Sequence, residues 1–258
     1  MIDRGTGTPV VLVPGIQGRW EWMASTVDEL AERCRVITDS LPGEISSSTS
    51  IDSTRGFDIY VDWIDELIGQ AKIDKTSLCG VSYGGLIALH YAAVRQNRVS
   101  SLTLASTPSV SWQPPYHVEQ YLRAPRLFSP VFALSSPARL YPEIAAAFPV
   151  LKDRLRFGAQ HLWRVLRSPM SPTLMAERVR LSNEVDFAAD CANISTATQI
   201  VTGEPHLDRV VMVASSMEYL KTIRGSLTVQ IERTGHIGVV TRPDVFADVI
   251  ATFSQFEK

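Results

Sequence analysis

Thr76-Ser77-Leu78-Cys79-Gly80-Val81-Ser82-Tyr83-Gly84-Gly85 is the stretch that decides the fold. Residues 76–81 make a short, largely apolar run of strand length, and 84–95 carries a helical pattern. Between them lies G-x-S-x-G, which in this strand-turn-helix context reads as a nucleophile elbow. Such a turn forces Ser82 into a strained conformation that is possible only where neighbouring side chains are absent. Gly80, Gly84 and Gly85 supply that absence. The competing reading is a glycine-rich strand-to-helix turn with an incidental serine.

Outward from the elbow, apolar runs rich in β-branched residues alternate with helical patterns. Strands are expected at 10–13, 35–39, 99–105, 198–202 and 227–232, with helices at 20–33, 57–71 and 244–256. The strands lack polar alternation, as parallel strands covered on both faces do. The fold class is therefore α/β: a mainly parallel sheet of about six strands flanked by helices. Residues 109–190 differ, with proline-punctuated helical segments and no convincing strand. They are expected to form a helical cap inserted into a core domain made of 1–108 and 191–258.

The 258 residues carry 25 Lys/Arg and 27 Asp/Glu, a net charge of -2, which gives no sequence-wide reason to expect nucleic acid or membrane as a partner. Three widely spaced cysteines suit reduced thiols, and five scattered histidines show no metal-binding spacing. No metal and no cofactor are expected. The polar start and the short apolar run after it exclude a signal-peptide core there, and a cytoplasmic location is the default expectation. The segment 116–184 holds ten Lys/Arg against five Asp/Glu. This excess reads either as a solvated helix face or as a welcome for an anionic substrate.

A serine hydroxyl needs a base. His236, in Thr234-Gly235-His236-Ile237-Gly238, follows the last expected strand and so lies at the same carboxyl edge as Ser82. His206 is its rival; His90, His117 and His161 read as helix or surface histidines. Asp208, in the loop after 198–202, is the acid that would orient the imidazole, in the chain order Ser, Asp, His. Glu204 in the same loop is the alternative. The strand 99–105 ends in Ser106-Thr107-Pro108, so no acid is available there. Two backbone N–H groups, of Ile16 in Pro14-Gly15-Ile16-Gln17-Gly18 and of Tyr83, are the candidate oxyanion donors.

These pieces, VLVPGIQG at 11–18, RVITDSLPG at 35–43, CGVSYGG at 79–85, TGEPHLD at 202–208 and TGHIG at 234–238, resemble the α/β-hydrolase superfamily, in particular its capped, cofactor-free esterases and enol-lactone hydrolases. The resemblance implies an oxyanion loop at Ile16 and Tyr83, a nucleophile at Ser82, an acid at Asp208 and a base at His236. The chain departs from the family in three ways. Pro14 stands where many relatives have histidine. Only nine residues precede the first strand, so the N-terminal hairpin is expected to be missing and 35–39 to lie at or near a sheet edge, which a partner copy would cover. The cap resembles nothing assignable.

The expected activity is hydrolysis of a small-molecule carboxylic ester, lactone or thioester through an acyl-enzyme on Ser82. Carbon–carbon bond hydrolysis or acyl transfer by the same triad is the enzymatic alternative. A ligand-binding receptor or scaffold with little turnover is the alternative from another class.

Overall fold

The apolar runs become strands buried on both faces. The computed structural model describes residues 1–112 and 116–255. Its described residues form β1 (Ile2–Arg4), β2 (Pro9–Val13), β3 (Arg35–Thr38), β4 (Thr76–Val81), β5 (Val99–Ala105), β6 (Ala197–Thr202) and β7 (Leu227–Gln230). The sheet order is β1-β3-β2-β4-β5-β6-β7, with every pairing parallel except β1 with β3.

Alternate residues of one strand serve two cores. Val10 and Leu12 join a cluster with Val27 and Leu30 of α1 (Ala24–Ala31) and, at the far end of the chain, with Phe246 and Ile250. Val11 and Val13 face the other way, into a cluster with Trp63 and Leu67 of α2 (Ile59–Gln70) and Leu86 and Leu89 of α3 (Tyr83–Val94). Val10 to Val13 are completely buried, which stabilises the fold by about 1.5–3 kcal/mol per side chain.

Between β5 and β6 run α4 (Tyr116–Arg123), α5 (Pro125–Ala147), α6 (Leu151–Arg167), α7 (Pro172–Ser182) and α8 (Phe187–Asn193). After β6 come three single turns, α9 (Val213–Ser216), α10 (Tyr219–Thr222) and α11 (Gly238–Thr241), and then α12 (Pro243–Gln255). Among the described residues no helix is long and apolar enough to cross a membrane. The expected end of the last helix, Phe256, and residues 113–115 of the expected cap lie outside the described residues.

Two expectations need correction. The sheet has seven strands rather than six: β1 pairs antiparallel with β3, Ile2 opposite Thr38 and Arg4 opposite Val36. A two-pronged contact from Arg35 to Asp3, at 2.9 and 2.6 Å, fastens it. No N-terminal hairpin forms, as expected, since β1 pairs with β3 and not with β2; β3 lies near the sheet edge, which β1 occupies. Second, prolines do not punctuate α5, which runs through Pro130, Pro137 and Pro142. Each proline removes one helical hydrogen bond without ending the helix.

Candidate active site

The parallel register brings the carboxyl ends of β2 and β4 level, with Val13 opposite Gly80. The loop after β2 therefore meets the turn after β4. Ser82 occupies that turn at φ 55° and ψ -121°, a left-handed conformation costing about 1–3 kcal/mol for a residue with a side chain. Its N–H donates to the Ala105 carbonyl at 2.7 Å. The turn is tight enough to need bare neighbours: a methyl group on Gly84 would lie 2.5 Å from the Pro14 and Val13 carbonyl oxygens, and one on Gly80 would lie 2.2 Å from that of Gly84.

The loops after β6 and β7 approach from the other side. The Glu204 N–H donates to the Thr234 carbonyl at 2.7 Å, tying the two loops together. His236 Nε2 comes 3.1 Å from Ser82 Oγ, and its Nδ1 comes 3.3 Å from Asp208 Oδ2. Asp208 is buried, and its Oδ1 accepts from the N–H groups of Val210 and Val211, both at 2.9 Å. One carboxylate oxygen is thus saturated by backbone and the other is left for the imidazole. This arrangement can hold the tautomer with hydrogen on Nδ1 and leave Nε2 free to accept the serine proton.

The rival residues go elsewhere. Glu204 accepts from the Arg233 N–H at 2.5 Å and pairs with the exposed His206 at 3.5 Å. His90 lies between Asp190 at 2.8 Å and Asp58 at 3.3 Å; burial opposes its charge, but the two carboxylates hold its pKa above the ordinary value. His161 stacks on Phe157 and meets Trp22 edge-on, and burial lowers its pKa, with Arg164 adding to the effect. His117 lies on α4.

Sequence reasoning missed two buried charges that reach this site from the inserted helices. Glu143, near the carboxyl end of α5, is 1% exposed; its Oε1 accepts from Thr234 Oγ1 at 2.6 Å and from the Ile237 N–H at 2.9 Å. Burial pushes its carboxyl above the ordinary range, against the pull of those hydrogen bonds. Arg233 adds to the clamp, donating to the Ala146 and Ala147 carbonyls at 3.0 and 2.9 Å. The only hint in the sequence was a lone carboxylate in the otherwise apolar run 142–148.

Arg178 of α7 is completely buried. Its Nη1 donates to the Ile16 carbonyl at 2.8 Å and its Nη2 to Glu44 at 2.7 Å, while the Tyr83 hydroxyl donates to the Arg178 carbonyl at 2.6 Å. Both residues expected to supply oxyanion donors are therefore fastened to one side chain and its backbone. Nothing in the sequence set Arg178 apart from Arg180, two positions on.

Residues 8–129 match the family model described as the alpha/beta hydrolase fold. An enol-lactonase from Burkholderia xenovorans superposes over 98% of this chain and 94% of its own, with a TM-score of 0.78 at 18% identity. A little under half of this chain is thus similar to the α/β-hydrolase family, and its fold is that of the enol-lactonase. Among curated proteins, a 2-hydroxymuconate semialdehyde hydrolase from a Pseudomonas species is 31% identical over 114 residues, 43% of this chain and 40% of the relative. A 2-hydroxy-6-oxo-2,4-heptadienoate hydrolase from Pseudomonas putida is 29% identical over 115 residues, 43% of this chain and 41% of the relative. The chain spans about two fifths of the length of these curated relatives.

Proposed function

We propose that this protein is a serine hydrolase that cleaves a small-molecule carboxylic ester, lactone or thioester. The observation that carries the reading is the line from Ser82 Oγ through His236 to Asp208, with the serine held at positive φ at the carboxyl edge of the sheet. Ser82 Oγ attacks the acyl carbonyl as His236 Nε2 takes its proton. The Ile16 and Tyr83 N–H groups receive the negative charge of the tetrahedral intermediate. Collapse expels the alcohol, which carries away the proton from His236, and leaves an acyl-enzyme. Water then enters by the same route in reverse and releases the acid. In this reading 109–190 is a cap over a core of 1–108 and 191–258, and Glu143 and Arg178 are the points where it grips the base loop and the oxyanion loop. No metal or cofactor takes part in these steps.

Intact-mass analysis after brief exposure to a fluorophosphonate tests the armed serine without requiring the natural substrate. One adduct per chain, absent in Ser82→Ala, is expected; no adduct on the folded wild type would sink the proposal.

A second reading is carbon–carbon bond hydrolysis or acyl transfer by the same residues, of which the similarity to the two Pseudomonas hydrolases favours the hydrolysis. Product analysis with several acyl acceptors and with ketone substrates separates it from ester hydrolysis. A receptor or scaffold would instead bind its ligand tightly and turn over about once per molecule.

A further inference from the structure

Helix α6 presents an apolar stripe to solvent. At 3.6 residues per turn, Leu151, Leu155, Leu162 and Leu166 fall within an arc of about 60°. They are 58% to 71% exposed, and so do not serve the core. The opposite side of the helix is already engaged. Phe157 and His161 stack there, His161 meets Trp22, Arg164 donates to Ser25 Oγ at 2.8 Å, and the Trp22 indole N–H donates to the Ser168 carbonyl at 2.9 Å. The helix is thus docked on the core by one face while its leucines point away.

Beside the stripe, about 100° to 160° round the helix from Leu151, stand Lys152, Trp163, Arg156 and Arg167. All four are exposed. The Arg167 guanidinium lies 4.1 Å above the centre of the Trp163 ring. In all, α6 carries five Lys/Arg (Lys152, Arg154, Arg156, Arg164, Arg167) against one acid, Asp153. Among the described residues none of the five has a carboxylate within ion-pair distance. A net charge of -2 for the whole chain conceals this local excess.

From this surface we infer that α6 docks on an anionic lipid bilayer, lying in the plane of the interface with its leucines at the acyl boundary and its cations among the headgroups. An apolar row beside a cationic and aromatic row matches that boundary, where one side is hydrocarbon and the other is negatively charged and wet. A second copy of the chain fits less well, because helix against helix would bring two sets of unpaired cations together. The inference stands on α6 alone and does not depend on the proposed catalytic activity.

Flotation of the full chain with vesicles tests it, using phosphatidylcholine alone and phosphatidylcholine doped with phosphatidylglycerol. We expect binding to the doped vesicles to exceed that to the neutral ones by about tenfold or more and to weaken as salt rises. Two double variants, Leu155→Glu with Leu162→Glu and Lys152→Glu with Arg156→Glu, should each return binding to the neutral-vesicle level. All four positions are exposed, so circular dichroism and thermal midpoint should stay those of the wild type. Absence of binding to doped vesicles, equal binding to both kinds, or wild-type binding by the folded leucine variant would overturn the inference. So would a dimer that dissociates when the leucines are replaced and that does not float with vesicles.

Discussion

Asp208→Asn tests the proposed role of Asp208 as the acid with little change in shape. The native carboxylate divides its oxygens, Oδ1 to the N–H groups of Val210 and Val211 and Oδ2 to His236 Nδ1. An asparagine can keep the two backbone bonds only by placing its carbonyl oxygen on that side. Its NH2 group then faces Nδ1. The imidazole must respond by accepting there and carrying its hydrogen on Nε2, where it cannot take the Ser82 proton. Flipping the amide would restore the tautomer but would set NH2 against two N–H donors. Each buried donor left without a partner costs about 1–3 kcal/mol, so the flip costs roughly 2–6 kcal/mol. At about 1.4 kcal/mol per factor of ten, the productive arrangement falls to between about one in thirty and one in twenty thousand. The variant also loses the negative charge that stabilises the imidazolium, and asparagine at the acid position of such triads lowers kcat by about 10⁴. We expect kcat/KM on p-nitrophenyl esters, and the fluorophosphonate labelling rate, to drop by about 10³ or more. The urea unfolding free energy should change by less than about 1 kcal/mol, since the backbone bonds survive. Glu204→Gln, assayed beside it, should stay within a few-fold of wild type. An Asp208→Asn enzyme within tenfold of wild type would refute the reasoning and move the acid elsewhere.

Other consequences are equally direct. Burial lifts the Glu143 carboxyl above its ordinary 4.5, so between those two values the folded protein keeps a proton that the unfolded chain has released. Stability must fall as pH rises across that interval and level off above it. The unfolding free energy of wild type relative to Glu143→Gln should show this decline, and a pH-independent difference would contradict it. Arg178→Met leaves Glu44 buried with Arg19 3.8 Å away as its nearest cation, so a loss of about 3–5 kcal/mol is expected, partly recovered by adding Glu44→Gln. Urea titration of the four chains checks this; equal losses with and without the second change would show that the pair is not coupled. Burial raises the thiols of Cys34 and Cys191 to about 11 and that of Cys79 higher still. The native chain at pH 8 should take up no iodoacetamide by mass, and the unfolded chain three.

The central strands were legible because their signal is local. Residues 76–81 and 99–105 were read at the bounds observed for β4 and β5, since an apolar run closed by turn residues marks a parallel strand at both ends. Helix ends were less sharp: the segment read as one helix at 20–33 is a 3-10 turn (Trp20–Met23) followed by α1, which ends at Ala31. The strand β1 escaped notice because Ile-Asp-Arg is three residues with no apolar run, held by its pairing to β3 some thirty residues away. Ser82, Asp208 and His236 were readable as a set because each follows a strand, and parallel strands deliver their following loops to one edge. Glu143 and Arg178 follow no strand. They meet their partners 91 and 162 positions away in sequence, and neither residue type nor spacing encodes such a meeting.

The grip of α5 on the base loop bears on how this protein can be re-engineered. Exchanging the inserted helices between relatives is an obvious way to transplant substrate preference, with seams at the ends of β5 and β6. Here such a graft would cut through a partnership, because Thr234 and Ile237 are supplied by the recipient and Glu143 by the donor. A donor helix with an apolar residue at that place would leave the Ile237 N–H without its carboxylate acceptor, one residue from the imidazole. Positions 143, 233, 234 and 237 therefore form one heritable unit, and a chimera should carry them across together or not at all.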